Sequence, residues 1–409
     1  MPDHDFGQCE PPNVKHPESS EHSHAPREVS LRMRLWLQKC AVLTSSIWLL
    51  ALSVRSQDQP VTQLQMFGHM TSSVELQDDE YLSEFTLGEH DFFVQSKLTS
   101  RFSFLSETVV GPVNSMGHGS ADYKVSIERA RLKYEYREWL SLIVGKMHSP
   151  VNYWNDVYHH GRLFFPTIDR PQSFGTSIPI HSLGMRLQGQ NIGKLNFGYD
   201  LVVSNGMSSN DVEDRSLQKS VTAAIHIKPE KQTRISLSAY YDRINDNMVG
   251  THAGHSGPFH YNMGELGWSP VNLSFELYCF SFYRKKGNWE ILLETTLNRT
   301  ALHKDNDPAL TVGLEELGKS SNTTAYLYTG RKLGNRNQIY TLLDLTDYEE
   351  RDLHIKSNQL SKFGLGWQHE FSPFLKSQVQ LERYTGDQNL EVVAPEKWAF
   401  RVRIAYCLF

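Results

Sequence analysis

Cysteine is scarce in this sequence, with four in 409 residues, at positions 9, 40, 279 and 407. Their wide, unpaired spacing argues against both a disulfide framework and a cysteine-built metal site. A basic surplus is also lacking: the formal net charge is -5, so nucleic-acid binding, which leaves a basic domain, is not expected. After Gln57 there is no long apolar run, which argues against a membrane-spanning helix of about 20 residues. Nor is there a Gly-x-Ser-x-Gly elbow to seat a nucleophile, and no enzymatic activity is expected. His148, His159, His160 and His181, like His252, His255 and His260, are not accompanied by a spaced set of Cys, Asp or Glu. Neither a metal nor another cofactor is therefore expected.

With 39% hydrophobic residues, the composition suits a soluble protein. It suits equally a transmembrane barrel, whose strands alternate lipid-facing and lumen-facing side chains and so look half apolar on average.

Residues 1–32 form a polar extension rich in His, Pro, Glu and Ser. Met33, Arg34 and Lys39 then precede an apolar run from Cys40 to Val54, and polarity returns at Arg55 to Gln57. A basic start, a short apolar centre and small residues near its end mark 33–56 as a secretory signal peptide. A single anchoring helix is the alternative. The expectation is that translation starts at Met33, that 57–91 leads into the fold, and that 92–409 is the barrel.

Alternation dominates the rest. From Glu128 to Arg137, Ala130, Leu132, Tyr134 and Tyr136 alternate with Arg129, Arg131, Lys133, Glu135 and Arg137, and a period of two puts the sets on opposite faces of a strand. Phe92 to Phe104, Leu195 to Val203, Ile235 to Tyr241 and Trp398 to Leu408 repeat the pattern. The segments are about 10 to 13 residues long, longer than strands of globular sheets and near the length that crosses a bilayer at a tilt. Short and long connections alternate. The fold expected is all-β, a transmembrane antiparallel up-and-down β-barrel.

About fifteen strands can be marked, including 92–105 and 259–269, whereas a single-chain barrel has an even number. A further strand near Ala309–Leu317 is the preferred repair and one near Thr62–Leu76 the other, giving about sixteen.

One connection stands apart. Gly145 to Pro171 has no strand or helix period, is roughly 25 to 35 residues long and is rich in aromatics. Tyr153, Trp154, Tyr158, Phe164 and Phe165 are costly to leave in water, so this stretch is expected to pack against the barrel.

The signal peptide, the alternating strands and the terminal Phe409, together with FTLGEHDFFVQSKLTSRFSFLSE and SIERARLKYEYREWLSLIVGKMHSPVNYWNDVYHHG, resemble Gram-negative outer-membrane porins, specifically the porin-like family related to phosphate-selective porins. One departure is that the apolar set Val402, Ile404, Tyr406 and Leu408 is one residue out of phase with Phe409. The resemblance implies an outer-membrane channel for passive diffusion of small hydrophilic solutes or ions, contact with outer-membrane lipid, and assembly as a homotrimer, although no stretch marks a subunit face.

Porins narrow the barrel with an inward-folded long loop and charged walls. The pore-lining or constriction candidates are accordingly Arg129, Arg131, Lys133, Lys146, Tyr153, Trp154, His159, His160, Arg162, Asp169 and Arg170, with Asp156 opposing the basic charge. A mild anion preference follows, unless the basic residues pair with Glu128, Glu135 and Glu138. A non-channel barrel serving as receptor, adhesin or scaffold is the alternative function.

Overall fold

The computed structural model describes residues 60–408 except 78, 114–121, 159–160, 175–176, 208–217, 245–271, 306–318, 350–351, 353–359 and 387–395. In chain order the strands are β1 Val61–Gln77, β2 Glu80–Lys97, β3 Phe102–Val113, β4 Asp122–Arg137, β5 Leu140–His148, β6 His181–Ile192, β7 Phe197–Ser204 and β8 Ser220–Glu230. They continue as β9 Thr233–Ile244, β10 Leu273–Lys286, β11 Trp289–Leu302, β12 Ser320–Leu333, β13 Asn337–Asp347, β14 Leu360–Ser372, β15 Leu375–Gly386 and β16 Lys397–Leu408. Each pairs with its sequence neighbours, and β1 pairs antiparallel with β16, which closes a sixteen-strand barrel.

The period of two decides which side chains face out. On β13, Ile339, Leu343 and Leu345 are exposed on the outer wall, while Gln338, Tyr340, Leu342, Asp344 and Thr346 are buried inside. On β4, Leu132 and Tyr136 are exposed, whereas Arg129 is buried. The barrel is thus inverted relative to a soluble protein, with apolar groups outside and polar groups within.

Thirteen of the sixteen strands, β4 to β16, fall where the periodicity marks them, and the first three do not. The barrel begins at Val61 rather than at 92, because 57–91 contains β1 and most of β2. The run 92–105 is not one strand: Leu98 to Arg101 form a tight turn, where the Thr99 hydroxyl accepts from the Arg101 and Phe102 amides. A turn of even length keeps the outward phase, so Phe92 and Phe104 share a face across it, and a period of two cannot detect the break. The Thr62–Leu76 repair matches β1; Ala309–Leu317, 259–269 and Phe409 lie outside the described residues. Splitting 92–105 also removes the objection to an early strand, since β3 then ends and β4 then begins on the same rim as the long β5–β6 connection. The connection between β1 and β2 lies on that rim but is short, with Asp79 at φ 64°.

Candidate pore constriction

The connection between β5 and β6 turns into the barrel. Gly145 allows the departure: its φ is +124°, and a Cβ there would sit 2.2 Å from the Ala130 carbonyl oxygen. Beyond it, Tyr153 and Trp154 enter a π-helical turn (Trp154–Tyr158) and Arg162–Phe164 form a 3-10 turn. Between these turns Gly161, at φ +59°, passes so close to the Phe67 ring of β1 that a Cβ would stand 2.8 Å from it.

The loop has its own apolar seat. Trp154 (0% exposed) and Phe165 pack with Tyr153 against Leu292, Tyr326, Tyr328, Tyr340 and Leu342, all inward-facing on β11 to β13. Val151 and Ile178 pack on Tyr240, Phe275 and Leu277 of β9 and β10. These strands carry apolar side chains on their lumen face because the loop, and not water, covers them.

Polar groups then fix the backbone. Glu294 on β11 accepts from the Tyr153 amide at 2.7 Å and the Trp154 amide at 2.9 Å. Asn155 donates to the Ser149 and Ile180 carbonyls, clamping the two roots of the loop together. Asp344 on β13 accepts from the Gln172 amide. Lys376 and Gln378 on β15 and Arg403 on β16 donate to the consecutive carbonyls of Phe165, Pro166, Thr167 and Ile168. Unpaired polar backbone in a confined space would be costly, and here strands distant in sequence satisfy it.

The loop's charged side chains are also tied down. Asp156 meets Arg234 of β9 at 2.8 Å and Arg186 of β6 at 3.6 Å. Burial would push its carboxyl up, but the two guanidiniums outweigh this and hold it below the usual carboxylate range. Arg162 and Arg170 both approach Glu89 of β2, at 3.2 and 3.9 Å, and Asp169 pairs with Arg401. Burial, with Arg162 beside it, lowers Arg170 to about 10, so it stays protonated at neutral pH.

The remaining sequence candidates divide. Tyr153 and Trp154 belong to the loop's packing. On β4, Arg129 is buried in a pair with Glu107, and Lys133 pairs with Glu135 at 2.9 Å. Arg131 is inward and partly exposed, makes no ion pair among the described residues, and lies within Coulombic reach of Arg186 and Asp156. Lys146 stands across from Ala130 and Leu183, within reach of Glu128, which His181 contacts at 2.7 Å. His159 and His160 lie outside the described residues. Among the described residues no group of three or more His, Cys, Asp or Glu side chains is arranged to hold a metal ion.

Sequence reasoning missed the wall's half of the site: Glu89, Arg186, Arg234, Glu294, Asp344, Lys376, Gln378, Arg403 and Gln380, whose side-chain oxygen accepts from the Ile168 amide. A signal existed on β15, where Lys376, Gln378, Gln380 and Glu382 form the polar phase of the strand and are buried. Nothing local distinguished them from any water-facing polar row.

No family model matches the sequence, and no curated protein matches it. Solved structures do resemble it. The in-vitro folded outer membrane protein OmpT of Vibrio cholerae, in a trimer form, is similar with a TM-score of 0.54 at 9% identity, over 86% of this chain and 100% of that one. The Salmonella typhi OmpF complex with daunomycin gives 0.53 at 7% identity over 86% and 100%. Pseudomonas putida OprB, in a high-pH structure, gives 0.51 at 10% identity over 85% and 94%. The chain shares the fold of these outer-membrane porin-like barrels, and none of them carries the phosphate-selective resemblance.

Proposed function

We propose that the protein is a channel of the Gram-negative outer membrane through which small hydrophilic solutes or ions diffuse passively, narrowed by its inward loop. The observation that carries this reading is the 149–180 loop, seated inside a closed barrel and bonded to β2, β9, β11, β13, β15 and β16. A loop held so is a fixed constriction whose side chains set the local field. Residues 33–56 direct export as a signal peptide, and the chain assembles as a homotrimer, as the trimer form of one similar barrel suggests.

Selectivity is for anions, mildly. Arg131, Arg186 and Arg234 converge on the single carboxylate of Asp156, with Asp200 also paired to Arg186. Cationic side chains in a low-dielectric, confined aperture attract counter-ions far more than the net charge of the chain would indicate. Reversal potentials in planar bilayers under a salt gradient test this: anion selectivity is expected, and cation selectivity refutes the preference.

The number of wall strands the loop reaches favours a second reading, in which it blocks the lumen and the barrel serves as a receptor, adhesin or scaffold. Liposome swelling with sugars of graded size separates the two, since a blocked barrel gives none.

A further inference from the structure

The rim of the short turns is basic. Counted from the last residue of one strand to the first of the next, its seven turns hold seven Lys or Arg and two Glu, in a chain whose net charge is -5. In an outer-membrane barrel the short turns face the periplasm. Where these cations stand on the wall decides what they meet.

Lys286, Trp289 and Arg331 form one row across β10, β11 and β12: Trp289 is in register with Lys286 on one side and with Arg331 on the other. All three lie on the outward phase of their strands, which Tyr278 marks on β10 and Leu327 on β12. The Arg331 guanidinium lies over the exposed Trp289 ring, 5.3 Å from its centroid. Arg284, one outward position above Lys286, shares the Glu230 carboxylate with it, each at 3.8 Å. One acid thus faces three outward cations.

The pairing of ring and guanidinium recurs on the same rim. Tyr136, exposed on β4, has Arg101 and Arg137 each 6.0 Å from its centroid.

β11 fixes the height of the row. Its outward side chains run Trp289, Ile291, Leu293, Thr295, Leu297 and Arg299. A strand rising ~3.3 Å per residue at a tilt of ~40° climbs about 2.5 Å per residue along the membrane normal. Trp289 to Arg299 then spans about 25 Å, the height of the apolar band of such barrels. Trp289 therefore stands at the lower boundary of the hydrocarbon, the level at which tryptophan collects. Its cationic neighbours stand at the level of the lipid phosphates.

Direction selects the partner. A soluble anionic polymer would meet cations at the tips of the turns, whereas Arg284, Lys286 and Arg331 belong to the outer wall, where lipid is. A guanidinium laid on a ring keeps its N–H edge for a phosphate. In a zwitterionic headgroup that phosphate carries its own cation, and in an anionic one it does not, so the excess positive charge favours the anionic lipid.

We propose that the row Lys286, Trp289 and Arg331, with Arg284, is a docking site for an anionic phospholipid of the periplasmic leaflet, its cations taking the headgroup phosphate and Trp289 lying against the upper part of the acyl chains. The inference rests on the membrane-embedded reading above and adds a headgroup preference to it.

The test uses full-length protein purified in uncharged detergent and offered phosphatidylglycerol or phosphatidylcholine with the same acyl chains. Bound lipids are counted by native mass spectrometry, and heat-modifiable gel mobility verifies that each variant is folded. Wild type is expected to prefer phosphatidylglycerol. A Lys or Arg near an anionic surface contributes about fivefold in affinity, so Lys286→Gln with Arg331→Gln should reduce the preference by about fivefold or more. Lys286→Arg with Arg331→Lys should keep it, and so should Arg299→Gln at the other edge of the band. Equal binding of the two lipids by wild type, a preference that survives the glutamine pair, or an equal loss in Arg299→Gln would overturn the proposal. So would binding of purified peptidoglycan that the glutamine pair abolishes while the lipid preference stays unmoved. Conductance is read separately: a wild type that prefers phosphatidylglycerol and passes no current sinks the channel reading, while its lipid count still supports the site.

Discussion

Arg403, on the strand that closes the barrel, donates through Nη2 to the main-chain carbonyl of Thr167 at 2.8 Å, across 236 residues of sequence. It is buried, and its hydrogen-bond partners are loop carbonyls and the Gln378 side chain, not a carboxylate. A buried guanidinium is tolerated only when its donors are met, so the loop's carbonyls and the cation satisfy each other.

Replacing Arg403 with Met should therefore unseat the segment Phe165–Ile168. Leaving the buried Thr167 and Ile168 carbonyls without their donor costs about 1 to 3 kcal/mol, enough to open the loop locally. Limited proteolysis should cut near 165 in the variant and not in wild type, and open-channel current noise should rise. An unchanged cleavage pattern would show that apolar packing alone holds the loop.

Glu294 offers a graded version. Glu294→Ala leaves the Trp154 amide without its acceptor and the Tyr153 amide with Ser281 Oγ alone, a penalty of about 1 to 3 kcal/mol, whereas Glu294→Gln keeps an oxygen in place. Alanine should lower the thermal midpoint and shift Trp154 fluorescence to the red, with glutamine near wild type. Equal effects would mean the charge, and not the acceptor, matters.

Arg131→Gln should reduce anion preference, because this inward guanidinium makes no ion pair among the described residues and Asp156 and Glu107 oppose its field only from Coulombic range. Arg129→Gln should change reversal potential less and stability more, since it leaves Glu107 buried without its partner. The reverse ranking would contradict the assignment.

Asp156→Asn should do the opposite of Arg131→Gln, freeing Arg234, leaving Arg186 paired with Asp200 alone, and raising anion selectivity. The sign with pH follows from the lowered carboxyl of Asp156. A carboxyl held low in the folded state contributes stability above its unfolded value of about 3.9 and loses it as pH falls through the lower folded value. Conductance governed by Asp156 should then be flat from pH 7 down to about 4. A transition near pH 5 to 6 would assign the change to another group.

Much of this was legible in sequence because the barrel's logic is local. Arg129, Arg131 and Lys133 stand one phase apart from Leu132 and Tyr134, and the long aromatic stretch around Trp154 had no other place to go. What was not legible depends on closure. Phe92 and Phe104 keep the same phase across the Leu98–Arg101 turn, so the alternation passed over a strand boundary. Leu292, Tyr328 and Leu342 look like misplaced apolar residues on polar rows until the loop is laid over them. Arg403 and Phe165 become neighbours only when the last strand meets the first.

The most direct measurement is single-channel conductance of the wild-type protein beside a variant lacking residues 150–170, both reconstituted in planar bilayers at the same salt. A steady wild-type conductance that rises when the loop is removed is the predicted result. Equal conductances would contradict a constriction made by this loop, and silence from both would contradict the channel itself.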